Sequence, residues 1–507
     1  MKEGKFSYAL TNPLSIILNK PPTDFQRQDM LQIIEQNQIE RITFHYTALD
    51  GRLKELKLPV AGKRRAEKIL AEGERVDGSS LFKGIVETSL SDVYVVPEYR
   101  TAFFNPFDHG SLDFICRYLT QEGERASFAP DNILARAYGL FKQNTGMELH
   151  ALGELEFYLI TEPEPYLFPR EPQKGYHESS PFLKGGEILT EIVRYITQIT
   201  DAVKYAHSEV GFIERIESEL PSINGKQAEQ MEVEFLPRSV EEAADALVIS
   251  RWVIRNVALR HRSIATFTPK LIQGGAGNGL HIHLQLMQEG RNIMEGPDGR
   301  LSQSAERLVG GLCTYADSLL AFGNTVASSY MRLVPHQEAP TKVFWSGLNR
   351  SALIRVPLAW SEVKDIARRI NPQEASDSPD REKSKTVELR SADGSALIHL
   401  LLAGVTMAAE WGLTRPESKS LADALYVSGR DVPDRELLDS LASLPANCLE
   451  SSRILAEKRE LYEREGIFPP ELIDYIIEML AREDIGVRSY GRLDNILKIM
   501  HKDLHKH

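Results

Sequence analysis

Leu152-Gly-Glu154-Leu-Glu156-Phe-Tyr-Leu-Ile160 sets two carboxylates at i and i+2 inside an otherwise apolar run. Residues two apart on a β-strand project to one face, so Glu154 and Glu156 stand together while Leu155 packs behind them. Taken alone, such a pair describes a half-exposed strand with one solvated face. The pattern recurs, however, in Glu217-Ser-Glu219, in Gly279-Leu-His281-Ile-His283-Leu-Gln-Leu286 and in Glu388-Leu-Arg390. A curved sheet built from these strands has a carboxylate-rich, partly basic concave face. Closely spaced buried carboxylates must take up protons or bind cations. An oxygen-rich set with one imidazole suits magnesium or manganese better than zinc.

Four arginines, Arg332, Arg350, Arg355 and Arg390, lie in or beside strand-like apolar text. Each on its own reads as a structural ion pair. Guanidinium groups also hold carboxylate and phosphate oxygens through bidentate bonds, and arginines combined with divalent metals are equipment for phosphoryl transfer. The chain has no Gly-x-x-x-x-Gly-Lys-Ser/Thr loop, so a nucleotide would be held in another way. The glycine run Gly274-Gly-Ala-Gly-Asn-Gly279 directly precedes His281.

Outward from this core, the text divides in two. A proline-punctuated, extended arm runs to Pro22, followed by a helical pattern over Phe25 to Gln38. The alternating runs Ile42 to Tyr46 and Leu53 to Leu58 flank Asp50-Gly51 and predict a β-hairpin. A helix from Lys63 to Ala71, the turn residues Val76 to Ser80 and strands near Val93 to Val96 and Phe114 to Tyr118 complete a small mixed-sheet domain. Beyond Pro130 helices dominate: Glu187 to His207, Ser239 to about His261, Ala305 to Phe322, Ala396 to Trp411 and a helical region from Asp434 to about Arg482. Ser239-Val-Glu-Glu242 is a capping box, in which the hydroxyl caps the Glu242 amide and Glu242 reaches back. The polar stretch Asn371 to Ser384 predicts an exposed loop before the Glu388 strand. The expected organisation is an arm over 1–24, a sheet domain over 25–125 and a catalytic domain over 126–507.

Of the 507 residues, 60 are Lys or Arg against 72 Asp or Glu, a net charge of −12, which argues against a phosphate-backbone binder and hence against a nucleic-acid partner. The basic patch Lys63-Arg64-Arg65 reads as a solvated helix face. Cys116, Cys313 and Cys448 have no paired spacing and imply a reducing compartment. No run of eighteen apolar residues occurs, so a cytoplasmic protein without a membrane span is expected.

Several motifs, in order, resemble those of the glutamine synthetase family. Val76-Asp77-Gly-Ser-Ser80 is similar to its Phe-Asp-Gly-Ser-Ser loop, and Glu154-Leu-Glu156-Phe157 to its Glu-x-Glu-Phe strand. Gly277-Asn-Gly-Leu-His281-Ile-His283 resembles the glycine loop leading to a metal-binding histidine. Ser329-Tyr-Met-Arg332-Leu-Val-Pro-His-Gln-Glu338-Ala-Pro340 and Asn349-Arg350-Ser-Ala-Leu-Ile-Arg355-Val-Pro357 carry the strongest likeness.

The resemblance implies an α+β fold: a β-grasp domain followed by a catalytic domain with a curved antiparallel sheet and surrounding helices. It also implies a ring-shaped homo-oligomer with active sites between subunits. It implies a ligase that forms glutamine from glutamate, ammonia and ATP through γ-glutamyl phosphate, with two or more Mg2+ or Mn2+ ions. By that likeness Glu156, Glu219 and Glu232 hold one ion, while Glu154, His281 and Glu388 hold the other. Glu229, in Gln227-Ala-Glu229, competes with Glu232 for its place. Arg332, Arg390, Gly277 and His281 face the acid and its γ-acyl phosphate end. Arg350, Arg355 and Lys383 face the nucleotide phosphates. Asp77 of a neighbouring subunit and Glu338 form the ammonium site.

The chain departs from that pattern at Ala276, where an asparagine is usual, at Thr386, where an arginine is usual, and at His336-Gln337, where Gly-Tyr is commoner. The same ligase chemistry on another acid or amine therefore stays open, as does a catalytically silent ring that senses or scaffolds.

Overall fold

The computed structural model describes residues 8–86, 91–163, 168–334, 339–347, 349–359, 365–376, 383–429, 435–489 and 495–507. Glu338, with His336 and Gln337, lies outside them, as do residues 377–382 of the expected polar loop.

Among the described residues the first sheet has six strands: β1 (Arg41–Thr47), β2 (Leu53–Pro59), β3 (Glu74–Asp77), β4 (Asp92–Pro97), β5 (Phe103–Phe104) and β6 (Ser111–Leu119). The expected hairpin is present, with Thr47 opposite Leu53 and Gly51 at φ +73°, a conformation glycine adopts without strain. β1 runs parallel to β6, with β2 on its other side and β4 beyond β6, in the order β2-β1-β6-β4-β3. Helices Arg27–Gln36 and Lys63–Glu72 bury Met30, Ile33, Ile34, Ile69 and Leu70 in the core shared with this β-grasp domain. The N-terminal arm differs from the extended form expected of it. Asn12-Pro13 starts a short helix, Pro13–Leu18, in which the Asn12 carboxamide accepts the Leu14 N–H at 2.9 Å and Leu14 is fully buried.

The second sheet has ten strands among the described residues: β7 (Glu148–Thr161), β8 (Val203–Ile213), β9 (Gln227–Phe235), β10 (Arg238–Ser239), β11 (Ile264–Thr266), β12 (Leu280–Gln288), β13 (Arg291–Asn292), β14 (Trp345–Ser346), β15 (Ile354–Arg355) and β16 (Val387–Leu389). Its backbone order is β14-β15-β16-β12-β7-β9-β8, antiparallel except for β14 with β15. Helices Val240–Arg260, Gln303–Gly323 and Ile398–Thr414 pack around it and supply much of its core.

Two local readings are corrected. The helix expected over Glu187 to His207 ends at Thr200, because Asp201 turns into the left-handed region at φ 49° and closes the last turn; residues 203–213 are strand β8. Ser239 caps the next helix, accepting the Glu242 N–H at 3.4 Å. Glu242 does not complete the box to the Ser239 backbone; its carboxylate accepts the Ser239 hydroxyl at 3.1 Å and pairs with Arg100 at 2.6 Å.

Where helices Gln303–Gly323 and Ile398–Thr414 cross, glycines let the backbones touch. A Cβ on Gly311 would lie 2.1 Å from the Ala408 carbonyl oxygen, so the helices must part to admit one. Gly311→Ala is expected to cost at least about 1–3 kcal/mol through overpacking. An unchanged denaturation midpoint would contradict this reading of the contact.

A largely buried ionic network ties the first sheet to the helices of the second domain. Arg117 of β6 pairs with Asp245 of the helix Val240–Arg260, with Glu98 at 2.8 Å and with Asp131 at 3.7 Å, and His399 lies 3.3 Å from Asp245. No helix among the described residues is long and apolar enough to cross a membrane.

Candidate active site

Strand register assembles the site. β12 lies beside β7 with His281 opposite Glu154, β9 flanks β7 on its other side with Glu232 opposite Glu156, and β8 sets His207 opposite Glu232. β16 brings Glu388 opposite His283, and β15 brings Arg355 opposite Glu388. These side chains share the concave face and line a cavity of about 1600 Å³.

Among the described residues, ligand-type atoms converge in two groups. Oxygens of Glu154 and Glu388 and a nitrogen of His281 lie within 4.8 Å of one another, and so do atoms of His207, Glu209 and Glu232. In the first group Glu154 bonds His281 Nδ1 at 2.8 Å and His283 Nε2 at 2.9 Å. Against the cost of burial, those imidazoles hold its carboxyl well below the usual range. Glu388, almost fully buried, is gripped by Arg355 Nη1 at 2.9 Å and Arg390 Nε at 3.1 Å.

The second group shows the opposite stress. Burial, reinforced by Glu156, pushes Glu209 up to about 8. Burial likewise raises Glu156, opposed by His281 and reinforced by Glu232. Carboxylates that ionise reluctantly because they are buried, and crowd one another besides, are relieved by a cation, which displaces their protons. Both groups thus fit a hard divalent ion such as Mg2+ or Mn2+. Glu154, His281 and Glu388 are suited to hold one, and Glu209 and Glu232 beside Glu156 another.

Cations stand around these groups. Arg350, Arg355, Arg390 and Lys383 line the cavity. Arg390 donates to the Arg350 carbonyl, and Lys383 Nζ reaches the Glu295 carbonyl at 3.4 Å. Arg332 is buried beside the glycine run, donating from Nη1 to the Ser391 carbonyl at 3.0 Å. A Cβ on Gly279 would meet Arg332 Nη2 at 2.8 Å, His281 Nε2 at 3.1 Å and Glu156 Oε1 at 3.2 Å, so only glycine lets these three groups close around one point. Gly277 is equally tight: a Cβ there would lie 2.5 Å from the Pro269 carbonyl oxygen. Gln230 fastens the loop, donating to Glu156 at 3.1 Å and to the Gly277 carbonyl at 2.9 Å.

Other expected residues fall elsewhere. Glu219 is corrected: residues 214–226 form a loop outside the strands, and the exposed Glu219 carboxylate pairs with Lys498 at 3.0 Å. Glu209 of β8, rather than Glu219, stands with His207 and Glu232. The strand pair His207-Ser-Glu209 obeys the same i, i+2 rule, but the helix expected over Glu187 to His207 takes in its first member and so conceals it. Parity on β9 separates the two competing carboxylates. Glu232 faces the cavity, whereas Glu229 points to the other face, paired with buried Arg170 and accepting the Gly185 N–H at 2.7 Å.

Asp77 is exposed in the β-grasp domain and does not line its own chain's cavity. It caps a short helix, accepting the Ser79 N–H at 2.9 Å and the Ser79 and Ser80 hydroxyls at 2.6 Å, and the two hydroxyls hold its carboxyl below the usual range. Sequence reading also passed over Lys270. Its buried ammonium is brought down to about 8 by burial and by Arg332, and no spacing signal marks it.

Residues 127–490 match the glutamine synthetase catalytic domain, and residues 38–121 match the glutamine synthetase beta-Grasp domain. The chain is 29% identical over 451 residues to glutamine synthetase of Thermococcus kodakarensis, covering 87% of this chain and 91% of the relative. It is 28% identical over 491 residues to glutamine synthetase of Methylococcus capsulatus, covering 91% and 96%. The fold is similar to the cryo-EM structure of Plasmodium falciparum glutamine synthetase, with a TM-score of 0.73 at 20% identity over 93% of this chain and 98% of that one. It is likewise similar to a GmaS/ADP complex, with a TM-score of 0.71 at 21% identity over 92% and 97%. Two family domains in their expected order, on a sheet whose register gathers acidic and imidazole groups beside arginines, make this chain a member of the glutamine synthetase family and an ATP-dependent ligase of that type.

Proposed function

We propose that the enzyme forms glutamine from glutamate and ammonia at the expense of ATP, through γ-glutamyl phosphate, in a ring-shaped homo-oligomer. The observation that carries this reading is the cavity of about 1600 Å³ with an acidic and imidazole floor, bordered by Arg350, Arg355 and Arg390, with Gly279 packed against Glu156 and His281 of that floor. Divalent ions held by the two floor groups would neutralise phosphate charge when bound. Arg350, Arg355 and Lys383 orient the nucleotide phosphates, and Arg332 and Arg390 the acid.

A γ-carboxylate oxygen attacks the terminal phosphorus, the bond from that phosphorus to the ADP oxygen breaks, and an acyl phosphate forms. Ammonia, formed as ammonium gives up a proton, then attacks the acyl carbon, the bond from that carbon to the phosphate oxygen breaks, and the surplus proton on nitrogen leaves with the released phosphate. The ammonium proton passes to Asp77 of a neighbouring subunit, which first concentrates the cation, while Glu338 shields the intermediate from water.

Asp77→Asn tests the last step while keeping an oxygen to cap the helix. Acyl phosphate formation in a single turnover is expected to survive, while its capture by ammonium slows by about 10²–10⁴-fold. Equal loss of both steps would mean that Asp77 serves the loop's structure instead.

One observation favours a second reading, the same chemistry on another acid. Ala276 offers only a methyl group; its N–H donates to Gln173 Oε1 at 2.7 Å, and its carbonyl accepts the Tyr158 hydroxyl at 3.0 Å. If glutamate is the acid, Ala276→Asn should lower its KM with little change in kcat. A raised glutamate KM in that variant would favour the other acid.

A further inference from the structure

A second cavity, of about 340 Å³, lies at the seam between the β1–β2 hairpin, the helix Val240–Arg260 and residues 505–507. It shares no lining residue with the active-site cavity. The hairpin tip is docked here: a Cβ on Gly51 would lie 3.1 Å from Leu397 Cδ2.

The lining is cationic. Arg52, Arg251, Arg255 and Lys506 face it together with His507, and the single acidic residue, Asp50, is already paired with Lys54 at 3.0 Å. Arg251 and Arg255 are four apart on one helix and therefore share a face. Among the described residues neither makes an ion pair, and the ring of Phe267 meets both guanidiniums, at 5.6 and 4.9 Å from the ring centre. Contact with a ring face occupies the plane of a guanidinium and leaves its N–H edges for other partners.

Arg251 is only 7% exposed. Its Nη1 donates to the Ala396 carbonyl at 3.1 Å, but among the described residues its Nε and Nη2 meet no acceptor, and Nε2 of buried His507 has no hydrogen-bond partner. Buried donors of this kind are rarely left unmatched, and a charged one least of all. The cost is visible in the groups themselves: burial, then Arg255, brings Arg251 down to about 9, and burial, then Arg52, brings Arg255 down to about 10.

We propose that this seam is a binding site for a small multivalent oxyanion, a phosphate ester or a polycarboxylate, which bridges Arg251 and Arg255 to Arg52 and so clamps the β-grasp hairpin onto the catalytic domain. A chloride-sized ligand would leave most of the donors unmatched. The multiple oxygens of a phosphate or polycarboxylate suit the paired guanidinium edges.

The test uses the full-length protein in metal-free buffer at fixed ionic strength, with inorganic pyrophosphate and citrate as separate probes in titration calorimetry and thermal unfolding. Arg355→Gln weakens anion binding in the active site, and Arg255→Gln weakens it at the seam. Because Arg52 is exposed, Arg52→Gln gives a seam variant that does not disturb the core. At least one probe is expected to bind the wild type and Arg355→Gln alike and to raise their unfolding temperatures. Its affinity should fall about 10-fold or more in Arg255→Gln and in Arg52→Gln, as for loss of one charged hydrogen bond. Binding by pyrophosphate alone would identify the ligand as a phosphate, and binding by citrate alone as a polycarboxylate. No binding by either probe, or binding lost in Arg355→Gln and untouched in both seam variants, would overturn the proposal.

Discussion

Glutamine in place of Glu388 is expected to lower ATP-dependent turnover by at least about 10²-fold while the chain still folds. The carboxylate lies within ligand distance of Glu154 and His281, and it is the shared partner of Arg355 and Arg390. An uncharged amide of the same size fills the space, but it cannot pull a cation into the first floor group or hold both guanidiniums by charge. Glu388→Ala is harsher. It leaves two arginines facing a buried void, and its stability should fall by about 3–5 kcal/mol as well, the usual cost of removing one partner from a buried ion pair. The Gln variant therefore separates chemistry from folding. A Glu388→Gln enzyme with normal turnover would remove Glu388 from the proposed metal site.

The second large effect concerns stability. Arg117→Met keeps much of the side chain's bulk but leaves Asp245 and Asp131 buried without their main counter-charge, and is expected to destabilise the chain by about 3–5 kcal/mol. Against the cost of burial, Arg117 holds Asp245 well below the ordinary carboxylate range, followed by His399. A carboxyl lowered in the folded state adds stability that is full above its unfolded value, near pH 4, and drains away as pH falls toward the folded value. Asp131 works in the other direction, because burial holds it above its ordinary value and acid relieves it. Denaturation curves of the two proteins should therefore differ most at neutral pH and approach one another below about pH 4. A constant gap across that range would show that Arg117 acts through packing rather than charge.

The parts of the site that were legible in the sequence share one property. Glu154 and Glu156, His281 and His283, and Glu388 sit in apolar runs where a period of two has no competing reading, and the structure sets all of them on adjacent strands. Glu209 was hidden by a helix boundary. Nothing local in Thr-Asp201-Ala-Val-Lys announces that Asp201 takes a left-handed conformation, so the helical pattern runs on through His207 and hides the strand pair it begins with Glu209. The family likeness points to Glu219 instead, but the residues around it lie in a loop. Glu229 and Glu232 differ by three positions, and only their pairing with β7 decides which one faces the cavity. The cationic seam had no sequence signature, since its arginines come from a hairpin and a helix some two hundred residues apart, and its histidines from farther still.

The most direct test of the central claim is phosphate release from ATP, with magnesium or manganese, measured for glutamate plus ammonium and for a panel of other acids and amines. The proposed reaction predicts release that requires glutamate and ammonium together and falls to background when either is omitted. Turnover with a different pair alone would transfer the proposal to that acid or amine and point to Ala276. No release with any pair would contradict a working ligase altogether.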